Sequence, residues 1–140
     1  MSVILEFTQI EKENLISENK TLGIYEVLLD NIHWKEGTYI QSDIISALFH
    51  EADNWGEVYF RPNSSQFLFY LLAVDFESNI GFRETNEGNV IVVFDPYPLK
   101  QFFEEAQKRT QYGKDGAFDQ LLDLLTQAIL EDFLICTKWG

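Results

Sequence analysis

A chain of 140 residues carrying 23 Asp and Glu against 10 Lys and Arg, for a formal charge of −13, is sized for one domain. It is repelled by nucleic-acid phosphate and by anionic membrane surfaces. Hydrophobic residues at 46% and charged residues at 24% match a folded globular chain and exclude wholesale disorder. The single cysteine, Cys136, excludes an intrachain disulfide.

Read in chain order, residues 3–7 alternate apolar and polar side chains as a strand does. Residues 11–20 are polar and charged and read as a loop or a short helix. Residues 22–34 are rich in Ile, Val, Leu and Tyr and read as a strand, bent near Asp30 and Asn31. Residues 42–53 predict a helix, with Ser42 as cap, Asp43 at the positive end of the dipole, and Ile44, Ile45, Leu48 and Phe49 as its apolar face. Strand composition follows at 57–60 and at 67–76, where near-continuous apolarity also permits a buried helix. Residues 80–84 and 90–94 flank a hairpin loop at 85–89.

The last third predicts helices. Pro96 and Pro98 introduce one over 99–111, with Glu104–Lys108 and Glu105–Arg109 spaced for surface pairs. After a break at 113–116, a second helix is expected over 118–136. Its apolar stripe is Phe118, Leu121, Leu122, Leu125, Ile129, Phe133 and Cys136. The sum is an α+β domain over residues 1–140, with a mostly antiparallel sheet of about five strands packed against about three helices. Twelve Phe, six Tyr and three Trp predict an aromatic-heavy core with a few aromatics left at the surface.

Motifs that carry chemistry are missing. His50, Glu51 and Asp53 lack zinc spacing, because His50 and Glu51 are adjacent and point to different helix faces. Residues 53–57 fail the EF-hand pattern. There is no Gly-x-Ser-x-Gly elbow, no P-loop and no Gly-x-Gly-x-x-Gly. Asp75 and Asp95 are the carboxylates expected to be partly buried, ending a strand and capping a turn respectively. No catalytic residue, metal or cofactor is expected. The start of the chain shows neither a basic leader nor a long apolar stretch, and the cytoplasm is the expected compartment.

Charge is unevenly placed. Residues 36–60 hold five acids (Glu36, Asp43, Glu51, Asp53, Glu57) and no Lys or Arg, and residues 115–137 hold five more (Asp115, Asp119, Asp123, Glu131, Asp132), again with none. Such concentration either solvates two faces or aims a field at a basic partner. Asp53, Trp55 and Glu57, with Tyr112, Asp115, Asp119 and Asp123, are the candidate partner-binding residues, the aromatics serving as anchors. A short, acidic, aromatic-rich α+β chain without catalytic motifs resembles the immunity proteins of polymorphic and contact-dependent growth inhibition toxins. That resemblance implies a non-enzymatic inhibitor covering a nuclease toxin's active site or nucleic-acid groove. Two other classes stay open. One is a ligand-binding domain or small enzyme with a pocket lined by Trp34, Tyr59, Phe69 and Phe82. The other is a structural or adaptor subunit, including a homodimer, marked by an exposed apolar patch.

Overall fold

In the computed structural model, which describes residues 4–13, 15–19, 23–29, 32–41, 43, 44, 47, 48, 51 and 82–139, the alternation read near the N-terminus forms strand β1, Ile4–Ile10. Leu5 and Phe7 are buried on one face, and Gln9 follows them there. The expected loop or helix after β1 is instead strand β2, Leu15–Asn19, which pairs antiparallel with β3, Ile24–Leu28. The expected strand over 22–34 is shorter in the structure. β3 ends at Leu28, and β4, Trp34–Gln41, begins where that strand was expected to stop. Residues 43, 44, 47, 48 and 51 are helical, and Ile44 and Leu48 are buried, as the helix read over 42–53 requires. The strands read over 57–60 and 67–76 fall outside the described residues.

The hairpin is tighter than its expected five-residue loop. Strand β5, Phe82–Thr85, and strand β6, Gly88–Phe94, are joined by Asn86 and Glu87 alone. The Thr85 hydroxyl donates to the Gly88 carbonyl at 2.7 Å and accepts from the Glu87 amide at 3.2 Å. Helix α1 spans Pro96–Arg109 and starts earlier than expected, because Asp95 caps it. The Asp95 carboxylate accepts from the Tyr97 amide at 2.9 Å. Of the two surface pairs, Arg109 meets Glu105 at 3.6 Å, but Glu104 lies 3.9 Å from Lys100, and Lys108 turns to Glu105 at 3.5 Å.

Helix α2, Gly116–Glu131, is shorter than the expected 118–136. Asp132 adopts a left-handed conformation (φ 58°) and its amide bonds to the Ala128 and Ile129 carbonyls, closing the helix. The chain then extends as β7, Leu134–Trp139. Cys136 is buried as expected, but in a strand.

All pairings are antiparallel, in the order β2-β3-β6-β7-β1-β4, with β5 also on β6. The described residues therefore form seven strands rather than about five. α1, α2 and the buried Ile44 and Leu48 pack on one face with Leu5, Phe7, Ile40, Val92, Phe94 and Ile135. Phe7 meets Phe103 edge-on with centroids 5.5 Å apart, and Phe102 meets Phe103 likewise at 5.1 Å. Ile10, Tyr25, Val27, Ile91, Val93, Leu134 and Cys136 form a second cluster on the other face, so β6 is buried on both sides. The aromatic core is present in Phe7, Phe94, Phe103 and Phe118, and Trp34, Tyr39 and Tyr97 are the exposed aromatics among the described residues.

Two substitutions test this arrangement by urea denaturation. Phe103→Ala is expected to cost about 3–5 kcal/mol through a cavity at the centre of the aromatic cluster. Asp95→Ala is expected to cost about 1 kcal/mol through loss of the cap. Equal, small effects for both would place the core elsewhere.

Candidate functional site

Helix α2 buries Phe118, Leu121, Leu124, Leu125 and Ala128 and turns Asp119, Gln120, Asp123, Gln127 and Glu131 outward. It lies beside β4 at the end of the sheet order. Between them runs a groove of about 770 Å³. Lys35, Glu36, Gly37 and Thr38 of β4 form one wall, Gln120, Asp123, Gln127 and Glu131 of α2 the other, and Gln9, Leu124 and Phe133 complete the lining. Gln9 is 2% exposed, and its amide donates to the Leu124 carbonyl at 2.9 Å. That bond satisfies a buried polar group and ties β1 to α2 beneath the groove.

The wall of β4 has its own cause. Thr8 pairs with Gly37 and Ile10 with Trp34, so two steps on β1 match three on β4, and the extra residue makes a bulge. Trp34 and Tyr39 share the sheet face of Ile10 and Glu6, their cross-strand partners, and stay about half exposed (51% and 55%).

Glu36 comes from the first acidic stretch, and Asp123 and Glu131 from the second; the groove brings that one acid of the first to two of the second. Among the described residues its one lining cation, Lys35, is engaged. The ammonium lies 2.9 Å from Glu11 Oε1 and 5.9 Å from the Phe133 ring centroid. The groove therefore presents carboxylates and amides.

No family model matches this chain, and no curated protein or solved structure matches it either.

The sequence-derived candidates divide. Asp115 is the N-cap of α2, its carboxylate accepting from the Ala117 amide at 2.9 Å. Asp119 accepts from the Gln107 side chain at 3.0 Å, and the same Gln107 amide donates to the Gly113 carbonyl at 3.1 Å. That contact joins α1 to the turn before α2. Gly113 is required there, since a Cβ would lie 2.0 Å from the Gln107 carbonyl oxygen. Tyr112 is half-buried against the main core. Asp123 alone of these lines the groove. Asp53, Trp55 and Glu57 lie outside the described residues, as do Asp75, Tyr59, Phe69 and the Phe82 side chain. Lys35, Gln120 and Gln127 were not candidates in the sequence; their role depends on β4 lying beside α2, which no local pattern states.

A second cluster sits at the head of β4. The Glu11 amide donates to the His33 carbonyl at 3.1 Å and the Glu13 amide to the Glu11 carbonyl at 3.0 Å. His33 Nδ1 contacts Glu13 Oε1 and lies 3.2 Å from Glu11 Oε2. The hydrogen bond to Glu13 and the two negative charges raise the His33 pKa above its ordinary 6.5. The Lys35 hydrogen bond, with help from its charge and that of His33, lowers Glu11 below its ordinary 4.5.

His33, raised in the folded protein, contributes stability that is complete below 6.5 and lost as pH rises through its folded value. Glu11, lowered, contributes stability that is complete above 4.5 and lost as pH falls through its folded value. The cluster therefore supports the fold most between 4.5 and 6.5. In chelator-treated buffer, the His33 ring resonances are expected to titrate above 6.5, and Glu13→Gln is expected to bring the midpoint down. An unchanged midpoint in that variant would remove Glu13 as the cause.

Proposed function

We propose that this chain is a non-enzymatic binding protein that inhibits a basic partner, in the manner of an immunity protein against a nuclease-type toxin in the cytoplasm. The meeting of Glu36 with Asp123 and Glu131 at the groove between β4 and α2 carries this reading. Glu36, Asp123 and Glu131 stand where a nuclease expects phosphate, and Gln120 and Gln127 supply donors and acceptors for its side chains and backbone. Charge of one sign along a groove raises the encounter rate with a cationic surface and makes the complex salt-dependent. Trp34 and Tyr39 are exposed on the same strand but on the sheet face turned away from α2, so they stand beside the groove and not in it.

Asp115 and Asp119 belong to the helix's construction and take a smaller part. A pocket lined by Trp34 and other aromatics finds less support, because Phe133 is the one aromatic lining this groove among the described residues. No described helix is long and apolar enough to cross a membrane.

The test is capture from lysate of the source cell at low and high salt, using the native chain and a Glu36→Lys/Asp123→Lys/Glu131→Lys variant. The expected result is one basic protein retained by the native chain at low salt, released at high salt and lost with the variant. A partner retained equally by both would exclude the groove, and no partner at either salt would leave the charge as a solubility feature. Asp115→Lys is expected to lower stability by about 1 kcal/mol through the lost cap, and Asp123→Lys to leave it within about 0.5 kcal/mol. Urea denaturation of the two variants separates a folding role from a binding role.

A further inference from the structure

Away from the groove's walls, three donor-bearing side chains converge from two chain segments at the head of β4. We propose that Glu11, Glu13 and His33 form a site for one divalent first-row transition cation of the zinc class. The inference is independent of the proposed inhibitor function. One imidazole nitrogen and two carboxylate oxygens lie within 4.8 Å of one another. A mixed nitrogen and oxygen set of this kind suits zinc and its neighbours better than calcium or magnesium, which take oxygen alone. The His33 side chain is 64% exposed, so water completes the coordination shell, as in open three-ligand sites.

The backbone places the donors before any ion arrives. The bond from the Glu11 amide to the His33 carbonyl extends the β1–β4 ladder by one pair beyond Ile10 and Trp34, setting Glu11 and His33 side by side. The Glu13 amide bonded to the Glu11 carbonyl folds the next turn back, bringing Glu13 to the same nitrogen. Lys35 supports the site from outside and limits it. Its ammonium holds Glu11 Oε1 at 2.9 Å, while Glu11 Oε2 faces His33. The lysine thus orients the carboxylate as an outer-sphere partner does, while its positive charge opposes the cation. On binding, the cation occupies the space between Nδ1 and the carboxylates, and any proton held there leaves to solvent.

Calorimetric titration of the full chain with zinc chloride tests the proposal, with His ring resonances followed in parallel. One saturable equivalent is expected, with the His33 ring signals shifting as it fills. His33→Ala and Glu13→Gln are each expected to weaken binding at least about tenfold. Lys35→Met is expected to tighten it, an outcome that damage to the fold would not produce. Circular dichroism confirms that each variant remains folded. Absence of a saturable equivalent, or affinity unchanged in both ligand variants, would overturn the site and leave His33 and Glu13 as a surface ion pair only.

Discussion

The pairing of Phe94 with Ile135 holds this architecture together. β3 occupies one edge of β6 from Val90 to Phe94, and β5 takes the other from Gly88 to Ile91. Only the end of β6 is left for β7, and the two meet at that single pair. Through it, the group of β2, β3, β5 and β6 connects with the group of β7, β1 and β4. Both residues face α1 and α2 in the main core. The sheet's continuity therefore rests on hydrophobic packing across the junction more than on a long hydrogen-bonded ladder. Asp95 caps α1 immediately after Phe94, so the residue that follows the strand fixes where the helix begins. Gly23 belongs to the same corner: its carbonyl accepts from the Asp95 amide at 2.9 Å, and its φ of 68° suits glycine.

This junction also locates the groove. Once β7 carries β1 and β4 beyond β6, β4 stands at the end of the sheet order beside α2. The buried Gln9 amide fixes β1 against Leu124. Both walls therefore come from regular elements, which hold side chains more rigidly than loops do. The exposed ion pairs around the groove add little stability, because water and salt screen them. Their importance lies in charge placement: Lys35 is drawn toward Glu11, and the acids opposite keep their field.

Legibility followed burial. β6 could be read from its continuous apolar residues and the presence of α1 from its paired prolines, while its start was missed because Asp95, read as capping a turn, caps the helix. Ile44 and Leu48 were legible from helical spacing. β2 and β4 were not, and the reason is physical. Leu15, Ile16 and Ser17 are exposed, and of the eight residues of β4 only Ile40 is buried. Strands at the ends of a sheet are held by backbone pairing, which leaves little apolar pattern. β7 was hidden for the opposite reason. Phe133 and Cys136 continue the spacing of α2's apolar stripe, and the stop is Asp132 in a left-handed conformation normally signalled by glycine. At the site, the acids were visible as composition, but Asp115 as a cap and Asp123 as a groove wall differ only in three dimensions. His33 and Glu13 meet across 20 positions, a distance no local motif spans.

The position of β7 also governs how the chain reaches this state. Leu5 pairs with Trp139 and Ile10 with Leu134, contacts spanning nearly the whole 140 residues. Closing so long a loop costs entropy before any of its contacts form, and topologies dominated by such contacts fold slowly. During synthesis, β1 and β4 emerge early and wait for a strand made more than ninety residues later, with Leu5, Phe7 and Ile40 exposed meanwhile. The excess of acids over bases along the chain opposes self-association over that interval. The acidity then protects the nascent chain as well as shaping the surface of the finished one.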